Sequence, residues 1–120
     1  MKSKISKSIK WTDNVAGGTN EETNLSATED YVWFLAEFEI FGARTYANSY
    51  EQNKQSQYEY FKNGSKVCYK NGSTATAVRW WVRSPHYDNV SYLCESSAGG
   101  TANYDCSSDL LGVVPCFTIA

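Results

Sequence analysis

Few side chains in this sequence could do chemistry. His86 is the only histidine. A hydrolytic triad or a histidine-based metal site is therefore hard to assemble. The chain also carries no GxSxG, no Gly-rich phosphate loop and no HExxH. Four cysteines, Cys68, Cys94, Cys106 and Cys116, stand 26, 12 and 10 residues apart. Those spacings fit no CxxC zinc pattern, and the thiols read as mostly free, small and half-buried, with one disulfide left open. Asp88, Asp105 and Asp109 could serve a calcium ion, but no DxDxDG loop surrounds them. Glu37 and Glu39 alternate with Phe38 and Ile40, which reads as the solvated face of a strand. Neither catalysis nor a metal nor a cofactor is expected.

The elements that position these residues are short. One hundred and twenty residues suit one domain with its own core. Net charge is −2, so no global field recruits nucleic acid, and no apolar run reaches the length of a membrane span. Lys2, Lys4, Lys7 and Lys10 are followed by no apolar h-region, so no signal peptide is read; residues 1–11 are expected as an arm or solvated strand. Residues 12–28 are polar and contain Gly17-Gly18, as a loop does. YVWFLAEFEIFG, residues 31–42, predicts a strand stopped by Gly42. A short helix is expected near residues 51–62, ended by Asn63-Gly64. Asn71-Gly72 predicts a hairpin, and SYLCES and TANYDC flanking Ala98-Gly99-Gly100 predict another. GVVPCFTI closes the chain as a strand whose Pro115 suits an edge or a bulge. The class is α+β, with short, mainly antiparallel strands, one or two small helices and long loops.

The C-terminal third has an unusual alphabet. Residues 1–83 hold 23 Lys, Gln, Met, Trp and Glu residues, and residues 84–120 hold one, Glu95. About ten would be expected there at an even rate, so the segment is biased. Two explanations stand. Loops favour small polar residues and need no lysine. Alternatively, the DNA was rewritten at adenines in Asn codons of the AAY type. Changes in the first two letters of AAY yield the residues present and never yield Lys, Gln, Glu, Met or Trp. Tyr, Ser, Asn and Asp are also what a paratope uses: large rigid contact area and adaptable hydrogen bonds.

YVWFLAEFEIFG, QYEYFKNGSK, RWWVRSP and GVVPCFTI, in that order, resemble a family of domains of unknown function from gut bacteria and their prophages. The resemblance spans about residues 12–119. It implies a C-type-lectin-like domain over residues 12–120, related in fold to formylglycine-generating enzymes and similar to the variable proteins of diversity-generating retroelements. The implied frame is Trp80, Trp81, Arg83, Ser84, Pro85, Gly112, Pro115 and Phe117. Trp80 and Trp81 would be core or sub-core platforms, and Arg83 would hold backbone carbonyls or a carboxylate. Within the variable-looking region 86–111, the implied ligand surface is His86, Tyr87, Asp88, Asn89, Ser91, Tyr92, Thr101, Asn103, Tyr104, Asp105, Ser107, Ser108 and Asp109. Val82 and Cys116 depart from the family's usual Glu and Gly, and Leu110-Leu111 place apolar residues in a polar loop.

What the resemblance implies is a non-catalytic ligand-binding domain with a hypervariable surface. Its ligand would be a protein or glycan on a cell surface, and its assembly partners phage tail proteins or further copies of itself. The expected location is a virion tail or a bacterium, without nucleic acid and without membrane insertion. The EPN, QPD and WND motifs of calcium lectins are absent. Formylglycine chemistry is not implied, because a fold relation carries no active site. The alternative is a structural phage tail or baseplate module with no ligand of its own. Longer relatives extend before residue 12, so a fragment or a compact form is expected.

Overall fold

The strongest local signals become the central sheet. In the computed structural model, residues 5–119 are described except 7, 12–18, 26, 31, 71–72 and 74. The strands are β1 (Ile5–Ser6), β2 (Ser8–Trp11), β3 (Ala27–Asp30), β4 (Trp33–Phe34), β5 (Cys68–Tyr69), β6 (Ala77–Val78), β7 (Trp80–Pro85), β8 (Tyr92–Ser96), β9 (Ala102–Cys106), β10 (Pro115–Cys116) and β11 (Thr118–Ile119). Two short helices join them, α1 (Glu37–Phe41) and α2 (Glu59–Asn63). The chain is an α+β domain of short antiparallel strands with small helices. Among the described residues, no helix is long and apolar enough to cross a membrane.

β7, β8 and β9 form a three-stranded antiparallel sheet in that order. RWWVRSP makes β7 because Trp80, Val82 and Ser84 are fully buried while Trp81, Arg83 and Pro85 are less so, a period of two. The β8–β9 hairpin pairs Cys94 with Tyr104 and Glu95 with Asn103. Its turn places Gly100 at φ +82°. A Cβ there would meet Val67 and the Lys66 backbone at 3.3–3.4 Å. Gly100→Ala is expected to destabilise the domain by about 1–2 kcal/mol in urea unfolding, the cost of a left-handed non-glycine residue.

The free edge of β7 is closed by backbone from two distant segments. Trp81 N–H donates to Gly112 O, and Arg83 N–H donates to Leu35 O. β9 has no strand on its outer edge among the described residues. The apolar core joins Leu35, Ile40, Ala47, Trp80, Val82 and Cys94. Trp80 is the platform expected, buried with its indole N–H on Lys66 O at 3.1 Å. Val82 is buried in that core, which a charged residue would disrupt.

Several expectations are corrected. Residues 31–42 do not form one strand: β4 is followed by α1. The helix was hidden because its N-cap is Ala36, which has no capping oxygen. Glu39 reaches back instead and accepts the Ala36 N–H at 2.9 Å. Gly42 ends the helix at φ +67°. Glu37 and Glu39 are not solvated; both are buried. The 51–62 helix is two pieces, a 3-10 turn at Ser49–Asn53 and α2, which stops at Asn63 as expected. Residues 12–28 hold a 3-10 turn, Glu22–Asn24, and strand β3, which pairs with β2; Gly17-Gly18 lies outside the described residues. β5 and β6 pair as the expected hairpin, while its turn residues Asn71 and Gly72 lie outside them. GVVPCFTI divides into β10, paired with β4, and β11, paired with β1. All four cysteines are free.

Candidate functional site

The site begins with a buried carboxylate. Glu37 lies at the start of α1 with no exposed surface. Its oxygens accept the backbone N–H groups of Thr45 at 2.6 Å, Tyr46 at 2.9 Å and Ala47 at 3.3 Å. Its own N–H donates to Ser84 Oγ at 3.1 Å. One carboxylate thus folds the 44–47 loop around itself and ties it to β7. Beside it, Arg83 bonds both the Glu39 carboxylate and Phe34 O, as expected of a residue holding a carboxylate and a carbonyl. That pair is buried. Ser84 Oγ donates to Glu51 Oε1 at 3.3 Å. Burial pushes the Glu51 carboxyl up to about 8.

The caged loop meets the segment after β7. Ala47 bridges His86, and Tyr87 N–H donates to Tyr46 O at 2.8 Å. His86 thereby becomes the centre of an aromatic cluster. Its ring stacks on Tyr87 at 4.9 Å and on Tyr46 at 5.9 Å. Tyr104 and Tyr92 meet it edge-on at 4.6 and 5.7 Å. Arg44 lies 4.5 Å over the Tyr87 ring, a cation–π contact. Asp88 folds back so that its Oδ1 stands 2.9 Å from His86 Nδ1. The Asp88 N–H reaches the same nitrogen at 3.3 Å. These contacts are alternatives: a neutral Nδ1 accepts from the amide, and a protonated one donates to the carboxylate.

Period two splits the hairpin residues between its faces. Tyr92 and Tyr104 join the His86 cluster. Asn103 and Asp105 point the other way with Glu95. There Asn103 Nδ2 donates to Glu95 Oε1 at 3.1 Å, and Asp105 pairs with Arg79. Asp109 hydrogen-bonds Asp105, which raises the Asp109 carboxyl above its ordinary range. Asn89 Oδ1 accepts the Ser91 N–H at 2.9 Å, an Asx turn, and Ser91 O accepts the Ser107 N–H. Asp88, Ser91, Ser107 and Ser108 are exposed, and Leu110 is 98% exposed, so the 107–110 turn belongs to the surface.

The expected ligand residues are therefore mostly gathered. All of them except Asn103 and Thr101 lie at one end of the β7-β8-β9 sheet. Asn103 lies partway along β9. Thr101 sits in the hairpin turn at the other end, bonded to Ser97, about 16 Å of strand away. His86 is only 6% exposed. It is the floor of the cluster, and Tyr104, 37% exposed, is the most exposed of its rings, with Tyr46, Tyr87 and Tyr92 partly exposed. No signal in the sequence marked Arg44 and Tyr46, which lie outside the biased segment, nor Arg79.

The site offers little covalent chemistry. Burial pushes the Cys94 thiol far above its usual range, with the Glu37 and Glu51 charges adding to it. Such a thiol is a packing group, not a nucleophile. Among the described residues, no group of three His, Cys, Asp or Glu side chains is placed to hold a metal ion. Two concavities lie elsewhere. One of about 720 Å³ runs past Cys68, Tyr69, Trp80 and Val113. Another of about 610 Å³ is lined by Trp33, Tyr58, Tyr60, Phe61 and Phe117. Val114 borders both.

No curated protein and no solved structure matches the chain. A family model does, over residues 1–120, and the chain belongs to that family, a domain of unknown function (DUF6273).

Proposed function

We propose that the protein is a non-catalytic ligand-binding domain that displays a variable surface on a C-type-lectin-like scaffold. The observation that supports this most is the division of labour around Glu37. Carboxylates buried in the frame hold the loops, while the expected ligand residues, Thr101 and Asn103 apart, gather at one sheet end outside the apolar core cluster. Loops on a rigid frame tolerate substitution, and tyrosines ringed by small polar groups are effective contact residues. The ligand is a protein or glycan on a cell surface, as for a phage receptor-binding tail protein or the variable protein of a diversity-generating retroelement.

The test is in the DNA. A nearby repeat of the 3′ coding segment, differing only at adenines and lying beside a reverse transcriptase gene, is the expected finding. A gene without such a template sinks the variation reading. A protein-level test accompanies it. Exchanging Asp88, Ser107 and Ser108 together for Tyr, His and Asn is expected to change unfolding free energy by no more than about 0.5 kcal/mol per site. Losses of several kcal/mol would show these positions to be frame.

A second reading has one observation in its favour. His86 is buried and its cluster is self-packed. That arrangement suits a structural tail or baseplate module with no ligand of its own.

A further inference from the structure

His86 Nδ1 has two partners that compete for it. Asp88 Oδ1 stands 2.9 Å away, and the Asp88 N–H reaches the same nitrogen at 3.3 Å. A ring nitrogen carries a proton or a lone pair, so one contact is satisfied at a time. The backbone around the ring is fixed. His86 N–H donates to Tyr92 O at 3.2 Å, and the His86 backbone bridges Ala47. Tyr87 N–H is held by Tyr46 O, and Asn89 closes its turn on Ser91 at 2.9 Å. Between these fixed points the Asp88 side chain is 57% exposed. The part with room to move is therefore the Asp88 carboxylate. Of the charged and titratable groups around the ring, Asp88 is the anion and Arg44, over the Tyr87 ring, the cation. Tyr46 and Tyr87 stack on the imidazole, and Tyr92 and Tyr104 approach from β8 and β9. Cys94, also on β8, donates its thiol hydrogen to Pro85 O at 3.7 Å and stays neutral. The Glu37 carboxylate of α1 is committed to the 45–47 backbone.

We propose that His86 is a proton-operated latch for Asp88. The protonated ring donates Nδ1–H to the carboxylate and holds it against the aromatic cluster. The neutral ring offers Nδ1 as an acceptor, takes the Asp88 amide, and repels the carboxylate into solvent. The proton that moves is the one on Nδ1, and water receives it. A histidine ordinarily changes charge between pH 5 and 8, so the latch is closed at the acid end of that range and open at the other. The backbone of residues 86–89 stays in place, and the side chain of Asp88 swings. One consequence rests on the ligand-binding reading: a ligand held through the Asp88 carboxylate binds with the latch open and is released in acid. The latch itself is a property of the unliganded chain.

The experiment is NMR on the isotope-labelled full chain, without ligand, from pH 5 to pH 8. The ring nitrogen shifts report the protonation of His86, and the Hα–Hβ couplings of Asp88 report its rotamer. An aspartate carboxyl is ordinarily ionised throughout this range, so a change at Asp88 follows the ring and not its own titration. One Asp88 rotamer is expected to dominate at pH 5. Its population should fall at least twofold by pH 8, along the same curve as the ring nitrogens, while the Asp88 amide proton moves downfield. Asp88→Asn removes the charge at an exposed position and is expected to cut the rotamer change at least twofold. An Asp88 rotamer that stays constant while the ring titrates overturns the latch. So does a ring that keeps one protonation state from pH 5 to pH 8, or an undiminished rotamer change in Asp88→Asn. These measurements involve no ligand, and the template search involves no latch, so either proposal can fail alone.

Discussion

Glu37→Ala is expected to destabilise the domain by about 3–5 kcal/mol and to lower its melting temperature by roughly 10–20 °C. The carboxylate satisfies the N–H groups of Thr45, Tyr46 and Ala47. Ala47 is buried, so water cannot simply replace the lost acceptor. An unsatisfied buried donor costs about 1–3 kcal/mol, and the cavity left by the side chain adds to that. Glu37→Gln keeps the volume and one acceptor oxygen, so a smaller loss is expected. The effect should also reach the surface. Without its anchor the 44–47 loop releases Tyr46 and Arg44, and the His86 cluster loses one stacked ring and its cation. Near-ultraviolet circular dichroism of the tyrosines below the melting transition is expected to weaken in both variants. A Glu37→Ala protein within 1 kcal/mol of the parent would show that the loop is held by other contacts.

Glu51 should make the fold less stable as pH rises. Its carboxyl stands at about 8 in the folded protein, against 4.5 for the unperturbed group. The folded state therefore binds the proton more tightly than the unfolded state does. Stability is highest below about pH 4.5, declines between 4.5 and 8, and levels off above 8. Burial is the main cause, and the Glu37 charge adds to it; Ser84 and Arg83 oppose it. The total is roughly 3–5 kcal/mol across the window. Glu51→Gln removes the ionisation and keeps the shape and a hydrogen bond to Ser84. The variant is expected to match the parent near pH 5 and exceed it by about 3 kcal/mol at pH 8. Urea unfolding at pH 5, 6.5 and 8 measures this. Glu95, whose carboxyl burial also pushes up, contributes a slope of its own, so the quantity to follow is the difference between the two proteins. Parallel profiles would mean that Glu51 ionises in place without cost.

These two carboxylates also mark where sequence reasoning failed. Glu37 and Glu39 alternate with Phe38 and Ile40, and a strand with a wet face was the natural reading. The pattern misled because both glutamates were counted as polar and hence solvated. In the fold they are buried acceptors for backbone donors and for Arg83. Their partners lie three to 47 residues away in sequence, so a local window could not find them all. Elements with local signals were legible. Ala98-Gly99-Gly100 marked a hairpin turn, where Gly100 supplies the positive φ, and Asn63-Gly64 marked the end of a helix. Arg83 holds a carboxylate and a carbonyl, as the family resemblance implied.

The sequence by itself determined the class of the fold, the β8–β9 hairpin and the bias of the segment threaded through it. Each follows from period, turn chemistry or residue type, which are properties of neighbours. Only the tertiary structure decided which side chains share a surface. It buried His86 beneath the residues expected to stand beside it, and brought in Arg44 and Tyr46 from a loop forty residues earlier. It also set Tyr104 and Asp105, adjacent in sequence, on opposite faces of one hairpin. The physical reason is that the strand pleat alternates neighbours, whereas buried carboxylates join segments that the chain keeps far apart.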